Sequence, residues 1–109
     1  MHSAPAVENR VFQALADPTR RAIFESLTRG EAAVGVLTAR FDISQPAVSQ
    51  HLAALKGAGL VKNRRDGRSV YYRVEPRGLK PLVAWITHYR AFWTEHAERL
   101  ERLLERMDR

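Results

Sequence analysis

At 109 residues the chain forms one domain with a modest core, and 45% hydrophobic content fits a globular rather than a disordered chain. It has no cysteine, which excludes disulfides, thiolate chemistry and Cys-ligated metals. Net charge is +6. Residues 44–75 concentrate it, with Lys56, Lys62, Arg64, Arg65, Arg68 and Arg73 against Asp66 and Glu75, so an anionic partner is expected.

Met1–Pro5 has no apolar h-region and no apolar run approaches spanning length, so a soluble cytoplasmic protein is expected. Residues 1–4 are expected to fray. Pro5 opens a first helix to about Ala16, carrying Val7, Val11, Phe12 and Leu15. Asp17-Pro18 restarts the chain: Asp caps and Pro takes the first helical position. The second helix buries Ala22, Ile23 and Leu27 and ends near Gly30. Arg20 and Arg21 fall in its first turns, where the helix dipole disfavours cations. A bound phosphate would compensate Arg20, and a solvated charged face is the alternative. Glu31 to Phe41 reads as a short third helix with Val34, Leu37 and Phe41 on one side, although Gly35 weakens it.

Asp42-Ile43 leads tightly into a fourth helix over Ser44–Lys56. Ser44 is a good N-cap, Pro46 is tolerated in the first turn, and Val48, Leu52 and Leu55 form an apolar stripe. Gln45, Ser49 and Gln50 then point away from the stripe. Short hydrogen-bonding side chains without a carboxylate suit the edges of bases in a major groove. An ordinary amphipathic surface helix is the alternative, and the neighbouring elements argue against it. Two short helices joined by so brief a turn, over residues 32–57, make a helix-turn-helix.

After Gly57-Ala58-Gly59 come two β-rich runs within residues 60–74, separated by Asp66-Gly67, a strong hairpin signal. Arg64, Arg65 and Arg68 crowd its tip. A merely structural ribbon does not need three cations there, whereas a wing lying along phosphates or dipping into a minor groove does. Beyond Glu75-Pro76 a last long helix is expected over residues 78–107. Its apolar positions, among them Leu82, Ile86, Tyr89, Trp93 and Leu100, exceed what so small a core can cover. They are expected to bury against a second copy, together with Val7, Val11 and Leu15 of the first helix over residues 5–16. A two-fold dimer would set the two fourth helices about 34 Å apart, one turn of DNA. The expected fold is therefore mainly α (α+β): a winged helix-turn-helix with a two-stranded hairpin wing and terminal dimerisation helices, all in one domain over residues 1–109.

An enzyme is the weakest reading. Ser49 and His51 are two apart on a helix, so their side chains diverge, and no glycine-rich phosphate loop or pocketed carboxylate pair occurs. A protein-interaction module, or a co-regulator governed by a partner protein, is the competing function.

The run S-Q-P-A-V-S-Q-H-L, then L-K-G-A-G-L-V and R-R-D-G-R-S-V-Y-Y-R, closely resembles the ArsR/SmtB family of bacterial winged-helix repressors. A-L-A-D-P-T-R-R-A-I resembles that family's entry into its second helix, and the likeness runs from Val11 to Tyr72. The resemblance implies a homodimer that binds a palindromic operator in double-stranded DNA and responds to an effector. Gln45, Ser49 and Gln50 would then meet bases, and Ser44, Lys56, Arg64, Arg65, Arg68 and Arg20 would meet phosphates or the minor groove. The family places a histidine at His51, which reaches a phosphate, steadies the helix or packs neutral. Metal-sensing members carry Cys-x-Cys in the third helix, where this chain has Ala33 and Gly35. Others bind zinc through Asp and His pairs on the terminal helix, whose spacing His88 and His96 do not match. Eight residues on one helix is about 12 Å, so within a chain those two cannot share an ion. No cofactor is expected; zinc or nickel held by His88 and His96 across a dimer, with Glu95 or Glu98, is the alternative.

Overall fold

The computed structural model describes residues 6–108, with side chains from Asn9 onward. Pro5 and the Val7 side chain, both named above, lie outside the described residues. The chain opens with α1 (Ala6–Ala16) and α2 (Pro18–Leu27). Asp17 between them is extended, and its carboxylate accepts from the Arg20 backbone N–H at 2.9 Å. The guanidinium of Arg21 donates to the Leu15 carbonyl at 2.8 Å, satisfying an acceptor at the end of α1.

The expected third helix starts later than Glu31. Ala32–Ala33 instead forms a short strand, β1, and the helix α3 spans Val34–Phe41. Ala33 is extended (φ −77°, ψ 155°) because its backbone pairs across the sheet with Tyr71, leaving helical geometry to begin at Val34. Asp42 ends α3 in the left-handed region at φ 50°, a conformation that Asp tolerates better than most side chains. Then α4 runs Gln45–Gly57, and Ser44 Oγ accepts from the Ala47 N–H at 3.2 Å as the expected cap.

Strands β2 (Val61–Asp66) and β3 (Ser69–Val74) pair antiparallel, with Asp66 opposite Ser69, so the loop is Gly67-Arg68. Gly67 takes φ 63°, which a two-residue hairpin loop requires and glycine adopts freely. The sheet has three strands in the order β1-β3-β2, not the two expected. The third strand escapes pattern reading because two alanines carry no strand signal.

The long terminal helix is also divided. A short 3-10 turn (Pro76–Leu79) leads into α5 (Lys80–His88), and α6 follows over Arg90–Met107. Tyr89 leaves helical geometry at φ −100°, ψ 16°. The turn there lets the rings of Trp85 and Trp93, eight residues apart, close to 6.5 Å. Gly78 packs directly on the backbone of Gly59, locking the entry of α5 to the end of α4.

The core centres on Val48, Leu52 and Leu55, all fully buried, against Val11, Ile23, Leu27, Leu37, Leu60 and Val61. Phe24 is buried where Ala22, expected in the core, is only half-buried. Val11 was expected at a subunit interface, but it is fully buried inside its own chain. It sits on the side of α1 that closes over α2 and α4, so no partner reaches it. The radius of gyration is 17.1 Å, above the about 13 Å of a compact domain near this size, because α6 projects from the body.

Candidate nucleic-acid interface

The stripe of α4 faces the core, and the opposite side is free. Ser44, Gln45, Ser49, Gln50 and Lys56 are all exposed. No carboxylate lies on α4, so this face offers donors and acceptors without repelling phosphate. Gln45 at the start of α4 and Arg68 at the wing turn line one shallow cleft of about 230 Å³, together with residues 33–35 of α3 and its entry. The wing tip therefore stands beside the first turn of the exposed helix.

Of the three wing cations, two are free. Arg65 and Arg68 are exposed and form no ion pair among the described residues. Arg64 is not the spare tip cation expected. Its guanidinium donates to both carboxylate oxygens of Glu31, through Nε at 3.2 and 3.0 Å and Nη2 at 2.6 Å. It also lies 4.7 Å from the Tyr71 ring centroid and 3.8 Å from Asp66. The hydrogen bond from Arg64 holds the Glu31 carboxyl below its usual range, and the same contact raises the Arg64 guanidinium. Sequence reading missed Glu31, since a carboxylate 33 residues away in the chain gives no local signal.

A second cluster joins α2 to α4. Arg20 Nε donates a long hydrogen bond, 3.4 Å, to Nδ1 of His51. Asp17 sits beside both: the Arg20 backbone N–H first, then the charge of the Arg20 guanidinium, pull its carboxyl below the ordinary carboxylate range. His51 is half-buried, and this contact joins it to α2. Arg20 also lines a cleft with Arg10, Gln13 and Gly57, so Arg10 adds a cation that periodicity alone did not single out.

Comparison with known proteins agrees with this geometry. The family model for a helix-turn-helix domain matches residues 15–64. The chain is 49% identical over 86 residues to the HTH-type transcriptional regulator Rv2034 of Mycobacterium tuberculosis, covering 79% of this chain and 78% of that one. It is 36% identical over 81 residues to the transcriptional repressor SdpR of Bacillus subtilis, covering 74% and 90%. A solved ArsR family transcriptional regulator, RHA00566, superposes with a TM-score of 0.75 at 34% identity, over 86% of this chain and 97% of that chain. The chain belongs to the ArsR family of helix-turn-helix transcriptional regulators. It is thus a DNA-binding regulator of transcription and not an enzyme.

In this ArsR-family regulator the terminal helices carry most of the exposed apolar surface among the described residues. Among the described residues of α5 and α6 none is buried; Leu82 is partly buried against the core. The large apolar side chains left exposed lie at Phe12 of α1 and along α5, Tyr89 and α6, with Val36 on α3 the exception. Ile86, Tyr89, Trp93 and Leu100, all expected to meet a second copy, are 37–48% exposed, and Leu15 is half-buried against the core. Aromatic rings knit the patch: Phe12 to Trp85 at 6.1 Å, Trp85 to Tyr89 at 5.2 Å and Phe92 to Trp93 at 5.0 Å. His88 sits edge-on to Tyr89 at 4.9 Å and His96 stacks on Phe92 at 4.4 Å. The two histidines occupy different helices, so the single-helix spacing worked from the sequence does not describe them. No three of His, Cys, Asp and Glu gather into a metal-binding group among the described residues. No helix among them is long and apolar enough to cross a membrane.

Proposed function

We propose that the chain acts as a homodimeric repressor that reads a palindromic operator in double-stranded DNA. The observation that carries this reading is the division of α4: Val48, Leu52 and Leu55 are fully buried while Gln45, Ser49 and Gln50 are exposed, Gln45 beside Arg68. Gln45, Ser49 and Gln50 meet base edges; Ser44, Lys56, Arg65, Arg68 and the Arg20–His51 pair meet the phosphate backbone. Two copies join through the apolar face of α5 and α6, whose large side chains from Val83 to Met107 are 37–71% exposed. A repressor among the relatives supports the sign of regulation. The reading needs no metal, and it places the protein in the cytoplasm with the DNA.

Selection of bound duplexes from a random pool tests it, with and without added zinc or nickel. The expected product is a palindrome whose half-sites lie about 10 bp apart, unchanged by metal. A single unpaired half-site sinks the dimer; a metal-dependent product assigns His88 and His96 a ligand role. Gln50→Ala should relax base preference more than it weakens binding to random DNA. The same apolar face also suits a different protein partner, and a protein that sediments as a monomer at micromolar concentration would favour that reading.

A further inference from the structure

The base of the wing packs on the core through Val61, Tyr72 and Val74, while its outer part is held by less. On β2 only Val61 is buried, and every residue from Lys62 to Ser69 is exposed. Its backbone is anchored through β3 to a two-residue strand, β1. Among the described residues, one side-chain hydrogen-bonded pair ties the outer part of the hairpin, residues 63–70, to the rest of the chain: Arg64 to Glu31. Arg64 lies opposite Tyr71, and Tyr71 lies opposite Ala33, two residues beyond Glu31. Opposed residues and residues two apart share a face of the sheet. The guanidinium thus crosses β3 on top of the Tyr71 ring and ends in the carboxylate of Glu31.

We infer that Glu31 is a positioning residue of the DNA interface: by clamping Arg64 over Tyr71 it fixes where the wing carries Arg65 and Arg68 relative to α4. The inference rests on the regulator reading for its consequence and on the sheet geometry for its cause. A planar guanidinium gripped by two oxygens and a ring has one orientation, which an isolated lysine would not. A wing already aimed at the duplex spends no binding free energy on ordering. The competing role is the reverse: Glu31 would occupy Arg64 in the free protein and yield it to a phosphate.

Two measurements on the full chain separate them: amide hydrogen exchange of residues 65–70 without DNA, and anisotropy titrations of the selected duplex over a range of salt. Glu31→Gln should speed exchange in the wing and weaken operator binding about fivefold, the scale of one well-formed surface pair. Exchanging the charges, Glu31→Arg with Arg64→Glu, should restore much of the wing's protection, because the ion pair re-forms without the contact to the Tyr71 ring. The inference is overturned if Glu31→Gln leaves wing exchange unchanged. It is equally overturned if Glu31→Gln tightens binding and steepens the salt dependence by about one phosphate contact. Wild-type protein that binds no duplex would sink the regulator reading, and the exchange measurement would still decide whether the clamp exists.

Discussion

Leu100→Ala gives the sharpest separation between a face that covers a partner and a face that covers the chain's own core. Leu100 is 42% exposed on α6. Full burial of a leucine contributes about 2.5 kcal/mol, so hiding the exposed fraction against a second copy contributes about 1 kcal/mol. Two-fold symmetry repeats every interface residue, so the substitution costs the dimer about 2 kcal/mol, or about a thirtyfold rise in its dissociation constant. Sedimentation velocity over a dilution series reads this directly, and binding to the palindrome should weaken in step while binding to a single half-site does not. Val11→Ala is the contrast. Val11 is fully buried within its chain, so its truncation should lower unfolding stability by about 2 kcal/mol. Its effect on self-association should be small. An unchanged dimer constant in Leu100→Ala would refute the assignment of the α6 face to self-association.

Three further outcomes follow from the same geometry. Arg65→Ala with Arg68→Ala should flatten the salt dependence of DNA binding by about two phosphate contacts, about 0.9 unit of slope each; an unchanged slope in the titration removes the wing from the interface. Gly78→Ala should lower the thermal midpoint, because a Cβ there collides with the Gly59 carbonyl oxygen and forces α5 away from α4; overpacking of this kind costs about 1–3 kcal/mol. Acid should destabilise the fold through Asp17, Glu31 and Glu75, whose carboxyls all lie below their ordinary values. A depressed folded-state value means stability that is present above about pH 4 and lost as pH falls through the lowered values. Asp17→Ala should therefore shrink the acid dependence seen in denaturant midpoints.

Local chemistry made much of the fold readable. Asp17-Pro18 and Ser44 act through hydrogen bonds within three residues, so their caps can be read without knowing the fold. Gly67 likewise declares its turn by its own backbone freedom. What could not be read depends on partners distant in the chain. The strand Ala32–Ala33 exists only because Tyr71 and Tyr72 offer it an edge. Helical spacing told that Val11 and Leu100 are both apolar and facing, but not that one faces α2 and α4 while the other faces outward. The break at Tyr89 has neither glycine nor proline to announce it, and comes with the packing of Trp85 on Trp93. At the candidate site the exposed face of α4 was legible from its stripe, whereas the capture of Arg64 by Glu31 was not.

The underside of α4 is itself the centre of the hydrophobic core, with three side chains wholly inaccessible to solvent. An inducer that bent or unwound this helix would have to dismantle the domain. In the proposed dimer, control over promoter occupancy would therefore fall to rigid-body geometry: how far apart, and at what mutual tilt, the terminal helices hold two intact reading heads. A signal that shifts the arms by a few ångströms would misalign both heads with successive grooves while leaving each of them folded.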